Sequence, residues 1–133
     1  MRNLHIPGTT TTPEVHLDLM DVCFSITGRS VPSNAHAFFA PILCWLDEHV
    51  HLMPVGSVVT IDLEYFNNSS LKALYQVLER LGRRLQHHRD IRIVWMTEAD
   101  DDPVLDVCAY FVEQLRIPME IIERPEDHQA MTG

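Results

Sequence analysis

The sequence predicts an α/β fold: a mixed sheet of about five strands, opened by an N-terminal hairpin, with three helices packed on it. Three observations predict it. Runs at 15–19, 22–28 and 58–66 alternate apolar and polar residues, the period of a half-buried strand. Apolar residues recur at three- and four-residue steps in three longer segments, the period of a helix. From residue 35 onward the two kinds of segment alternate, giving the order β-β-α-β-α-β-α-β. Such an order requires largely parallel crossovers.

Each element has its own local reason. Gly8 and Pro13 bracket four threonines, which predicts an irregular lead-in. "VHLDL" and "VCFSITG" are separated only by Met20 and Asp21, so they form a hairpin. "RSVPSNA" breaks that pattern, and Ser33 or Asn34 caps the following helix. That helix buries Phe38, Phe39, Ile42, Trp45, Leu46 and Val50; Pro41 requires it either to begin nearby or to kink. "VVTIDLEYF" (58–66) is a strand with Val59, Ile61 and Leu63 on one face. From Ser69, Leu71, Leu74, Leu78, Leu81 and Leu85 form the seam of a second helix, which ends at "HHRD". "IRIVWM" (91–96) reads as a central strand covered on both faces. Asp102 before Pro103 is a helix start, and Val104, Leu105, Cys108, Phe111, Val112 and Leu115 are that helix's buried side. "MEIIE" (119–123) is the last strand. Residues 1–124 are expected to form a single domain, with 125–133 a flexible tail.

Composition bounds the function. The chain has 133 residues, of which 46% are hydrophobic and 22% charged, as expected of a chain with a packed core. A net charge of −9 disfavours sequence-independent binding to nucleic acid, whose phosphates need a basic counter-surface. Cys23, Cys44 and Cys108 are far apart and odd in number, so they read as reduced, half-buried thiols. The N-terminus lacks the apolar core of a signal peptide and no run approaches a membrane span, so the expected location is cytoplasmic.

Motifs for catalysis or cofactors are sparse. His49 and His51 are the closest-spaced histidines that invite a metal, but no third ligand stands at useful spacing. His87 and His88 suit a helix C-terminus. "EADDD" (98–102) reads as a solvated loop that supplies a helix cap. No phosphate-cradling glycine loop and no nucleophile elbow is present. We therefore expect no metal, no cofactor and no enzymatic activity. Arg80, Arg83, Arg84 and Arg89 make a basic patch, either a helix-end preference or a dock for an acidic partner.

The stretch "YFNNSSLKAL" (65–74) takes the chain from a strand into a helix N-terminus. Orphan N–H groups and the positive end of the helix dipole meet there. Asn67, Asn68 and Ser69 are all capping types, but a hydroxyl at this place is also a natural phosphate switch.

Taken with "LHIPGTTTTPEV", "ITGRSVPSNAHAFFAPILCWL", "LEYFNNSSLKAL", "IVWMTEADDD" and "IPMEII", in that order and spacing, the chain resembles the SiaC family of bacterial regulatory phosphoproteins. The resemblance implies a STAS-like, anti-anti-sigma-factor-type fold, in agreement with the α/β reading. It implies partner switching as well. A histidine-kinase-type ATPase phosphorylates the protein at the strand–helix junction and a PPM-type phosphatase reverses this. The unphosphorylated form binds a downstream target, by resemblance a diguanylate cyclase, which connects the switch to cyclic-di-GMP and biofilm control.

The sequence departs from the family at the acceptor. The family motif reads Asn-Thr-Ser-Ser with the threonine modified; here Asn67, Asn68, Ser69 and Ser70 stand in that order. Asn68 occupies the acceptor position and cannot carry a stable phosphoryl ester. Either a neighbouring hydroxyl, Ser69 or Ser70, takes over, or the protein is fixed in its unphosphorylated-like, constitutively binding state. Both alternatives use one partner surface, with Glu64, Tyr65, Asn67, Asn68, Ser69, Lys72 and Gln76. Two rival classes remain: a small enzyme with a polar cleft joining Asp100–Asp102 to His36 or His51, and a structural subunit of a larger assembly.

Overall fold

The computed structural model describes residues 3–124 apart from Arg89 and Ala99; the expected tail at 125–133 lies outside the described residues. A sheet of six strands runs in chain order: β1 (Asn3–Ile6), β2 (Glu14–Asp18), β3 (Cys23–Ser30), β4 (Val58–Phe66), β5 (Arg92–Thr97) and β6 (Glu120–Glu123). The first three strands pair antiparallel and the last three join in parallel. Helices α1 (Ala35–His49), α2 (Asn68–His87) and α3 (Asp102–Leu115) make the three crossovers. With right-handed crossovers and strands in chain order, each helix falls on the same face of the sheet. Accordingly α1 packs on α2, and α2 on α3.

The expected α/β class is therefore what the chain adopts, with one strand more than expected. β1 falls in the segment read as an irregular lead-in. The threonines after it are ordered by Thr9, whose hydroxyl accepts hydrogen bonds from the backbone N–H groups of Thr11 (3.1 Å) and Thr12 (2.9 Å). That local turn folds β1 back onto β2.

Two rows of side chains under the helices form the core. Val15, Ile26, Ile61 and Trp95 align across β2 to β5, and Leu17, Phe24, Val59 and Ile93 form the next row. All eight are buried. The opposite face of the sheet carries His16, Ser25, Thr60, Val94 and Glu120 in register. No described helix covers it, so helices cover β5 on one face only, although its apolar run is largely buried on both faces as expected. Val94 is buried there and Met96 half-buried.

Three boundaries have identifiable causes, the first choosing between two expected caps and the other two shifting from expectation. Asn34 rather than Ser33 caps α1, its side chain accepting from the Ala37 N–H at 3.0 Å. The helix then continues through the exposed Pro41, where an outward ring costs one backbone donor and no core contact. Asp101, not Asp102, caps α3 by accepting from the Val104 N–H. β3 runs on through Arg29 and Ser30 because Gly28, at φ +116°, absorbs a register shift against β4.

Candidate functional site

The junction between β4 and α2 is built around Asn67. Its backbone N–H donates to the Ser30 carbonyl at 3.1 Å, tying the end of β4 to the end of β3. Its side-chain oxygen accepts from the Ser70 N–H at 3.0 Å and from the Ser69 hydroxyl at 3.1 Å. Asn67 is thus the helix cap, and Asn68 is the first helical residue.

The two serines have different fates. Ser69 is exposed beside the helix mouth. Ser70 is fully buried, its hydroxyl donating to the Ser30 carbonyl at 2.9 Å while its oxygen lies 2.7 Å from the Ser30 hydroxyl. In the folded chain the Ser69 hydroxyl is open to solvent and the Ser70 hydroxyl is not. One helical step of 100° separates them, and that step turns one toward solvent and the other into the core.

Around this junction lies a groove. Glu64, Tyr65, Phe66, Asn68, Leu71, Asp101, Pro103, Val104 and Val107 line a hollow of about 340 Å³. A neighbouring hollow of about 520 Å³ between α2 and α3 is lined by Leu71, Lys72, Tyr75, Gln76, Asp106, Val107, Tyr110 and Phe111. Leu71 and Val107 border both, so the two hollows adjoin along the same pair of helices. The cause is shallow packing of α3. Of the six residues expected on its buried side, only Cys108 and Phe111 are buried, while Val104, Leu105, Val112 and Leu115 are partly exposed. Phe111 forms the floor, in ring contact with Tyr75 and Trp95.

Of the predicted partner surface, Glu64, Tyr65 and Asn68 line the smaller hollow, and Lys72 and Gln76 the larger. Asn67 is half-buried as the cap, and Ser69 is exposed next to Asn68. Sequence reading missed the α3 wall, Val104, Val107 and Tyr110. Tyr110 was the available signal, an aromatic outside the helix's apolar stripe that is left 55% exposed.

Among the described residues, the other candidate groups are not brought together in these hollows. Asp101 lines the smaller hollow, but neither His36 nor His51 does, so the cleft required by the enzyme reading is not formed there. Nor do the arginines of α2 make a free basic patch. Arg80 and Arg83 pair with Asp47 of α1, and Arg84 is buried against Asp90 and the Val50 carbonyl. Arg89 lies outside the described residues. Cys23 and Cys44 are exposed rather than half-buried, and burial pushes the Cys108 thiol up to about 12. No described helix is long and apolar enough to cross a membrane.

The fold also brings together one group that sequence spacing hid. His5 on β1 stands directly opposite His16 on β2, with Glu14 two residues away on the same face. His5 Nε2 lies 3.4 Å and His16 Nε2 3.1 Å from the same Glu14 oxygen. Those hydrogen bonds, His16's first, hold the Glu14 carboxyl below its ordinary value.

The model of the SiaC family regulatory phosphoprotein matches residues 6–124. An uncharacterized protein of Pseudomonas aeruginosa strain UCBPP-PA14 is 28% identical over 121 residues, covering 91% of this chain and 96% of its own. The crystal structure of apo-SiaC from Pseudomonas aeruginosa superposes with a TM-score of 0.77 at 29% identity, over 92% of this chain and 99% of that one. SiaC in the crystal structure of the diguanylate cyclase SiaD with its activator SiaC, from the same organism, gives a TM-score of 0.80 at 27% identity, over 91% and 99%.

Proposed function

The chain belongs to the SiaC family of regulatory phosphoproteins, and from that membership we propose that it is a signalling regulator with no catalysis of its own. It acts by docking a target protein of the diguanylate cyclase type. The relative crystallised with SiaD is described as that cyclase's activator, which makes a cyclase the first partner to test.

The observation that carries this reading is the adjoining pair of hollows along α2 and α3, bordered at the helix mouth by Asn68. Apolar walls with exposed tyrosines at positions 65 and 110 are what a protein partner buries. Ser69, the exposed hydroxyl next to Asn68, is the proposed phosphoacceptor, modified by a histidine-kinase-type ATPase kinase and cleared by a PPM-type phosphatase. The first turn of α2 contains no acidic residue, so the helix dipole favours a phosphate there. A docked partner would have to desolvate that same charge, which weakens the complex. The chain therefore holds its own fold in both states and changes only what it binds.

A second reading rests on Asn68 itself. An uncharged amide at the family's acceptor position resembles unmodified threonine, which fits a regulator that binds constitutively.

The test is a titration of wild type, Ser69→Asp and Tyr110→Ala against a purified diguanylate cyclase from the source organism. At least a tenfold loss of affinity is expected for each variant. Equal affinity for all three would remove this face as the docking surface. Fragment mass spectrometry on the protein from its native cells then separates the two readings. Phosphate on Ser69 supports the switch, and its absence across growth conditions supports constitutive binding.

A further inference from the structure

On the uncovered face of the sheet, away from the helices and their hollows, His5, Glu14 and His16 converge. The strand register sets them there. His5 and His16 are cross-strand partners, so their side chains leave the same face of the β1–β2 ladder. Glu14 precedes His16 by two residues, one full strand period, and leaves that face too. Their rings stack with centroids 4.2 Å apart and planes within 18°. Both Nε2 atoms are directed at one carboxylate oxygen.

We propose that this trio is a site for a divalent transition-metal ion of the Zn²⁺ type, bound by His5 Nε2, His16 Nε2 and a Glu14 carboxylate oxygen, with water completing a tetrahedron. The spacing supports it. Tetrahedral ligands on bonds of about 2.0–2.1 Å stand about 3.3 Å apart, and the two nitrogen–oxygen separations here are 3.1 and 3.4 Å. An imidazole lone pair lies in its ring plane, so the two stacked rings must splay for both Nε2 atoms to reach one ion, a rotation their solvent exposure allows.

The donor set supports it too. Two imidazoles and one carboxylate select zinc, copper or nickel, whereas magnesium and calcium prefer all-oxygen sites. All three side chains are partly open to solvent, with exposures of 53% for His5, 45% for Glu14 and 37% for His16, so an ion can enter and keep a water ligand.

The physical consequence is a clamp. β1 is an edge strand of four residues, joined to the sheet only through β2. An ion shared between them binds the folded hairpin and not the unfolded chain, so it stabilises the attachment of the N-terminal strand. This inference is independent of the docking reading, because the trio and the α2–α3 hollows share no residue.

The experiment uses the full chain without a histidine tag. Zn²⁺ alone is titrated in competition with a chromogenic chelator, and thermal unfolding is followed with and without the ion. One Zn²⁺ per chain is expected, with a raised Tm and no displacement by excess Mg²⁺. His5→Ala and Glu14→Gln should each weaken binding at least tenfold, whereas His49→Ala with His51→Ala should not change it. Absence of saturable uptake by the wild type, or affinity unchanged in His5→Ala, overturns the site. His5 is exposed on the edge strand and outside the core, so that variant remains informative if His16→Ala does not fold.

Discussion

The Ser70 hydroxyl donates to the Ser30 carbonyl at 2.9 Å and receives the Ser30 hydroxyl at 2.7 Å. Both residues are fully buried, so this pair fastens the first turn of α2 to the end of β3. Ser70→Ala should cost about 1–3 kcal/mol, the range for losing a buried hydrogen bond and stranding its partner. Ser69→Ala, on the exposed side of the same turn, should stay within about 0.5 kcal/mol. Urea unfolding of both variants checks the contrast. Equal costs would show that the two serines do not divide structure from surface in this way.

Asn67 caps α2 by accepting from the Ser70 N–H. Asn67→Ala should destabilise by about 1 kcal/mol, within the usual 0.5–2 kcal/mol for a lost side-chain cap. Asn67→Asp should recover that loss, because a carboxylate accepts the same hydrogen bond and faces the positive end of the helix. Denaturant midpoints at constant slope decide it.

Arg84 is buried and grips both oxygens of Asp90, at 3.1 and 2.8 Å, while a third N–H reaches the Val50 carbonyl at 2.8 Å. Those hydrogen bonds from Arg84, then its charge, hold the Asp90 carboxyl below its ordinary 3.8. A carboxyl whose folded value is lowered contributes stability above its unfolded value and loses it as the pH falls through the folded one. Asp90→Asn should therefore be less stable than wild type at pH 7, and the difference should narrow below about pH 4. A pH series of unfolding midpoints tests it. A constant gap down to strongly acid pH would show that the charge of Asp90 is not what holds Arg84.

The parts of this fold that sequence made legible are those where period and burial coincide. Strand β4 matches its alternating run "VVTIDLEYF" end to end, and Leu74, Leu78, Leu81 and Leu85 of α2 are all buried. What sequence hid depends on tertiary placement. β1 is only four residues, and Leu4 and Ile6 are too few to display a period beside a threonine turn. Arg84 looked like surface because arginine usually is, yet Asp90 and a carbonyl satisfy it inside. The burial of Ser70 and the exposure of Ser69 are one helical step apart, which composition cannot distinguish. His5 and His16 are eleven positions apart in the chain and became neighbours only through strand register.

Gly82 lies inside α2, where glycine normally costs about 1 kcal/mol relative to alanine. Propensity alone therefore predicts that Gly82→Ala stabilises the protein. Packing predicts the reverse. A Cβ at this position would stand 2.9 Å from Ile117 Cγ2, closer than two carbon atoms pack. That methyl sits on the branched β-carbon of a side chain only 3% exposed, so it has little freedom to withdraw. Overpacking of this kind costs about 1–3 kcal/mol, which equals or exceeds the helical gain. Gly82→Ala should thus be neutral to destabilising by about 2 kcal/mol, and pairing it with Ile117→Val, which leaves that β-branch in place, should not rescue it. Pairing it with Ile117→Ala should remove the clash, so the two substitutions together should cost less than the sum of their separate effects. A double-mutant cycle in urea gives the answer. Strict additivity would show that Gly82 is not kept small by the side chain of Ile117.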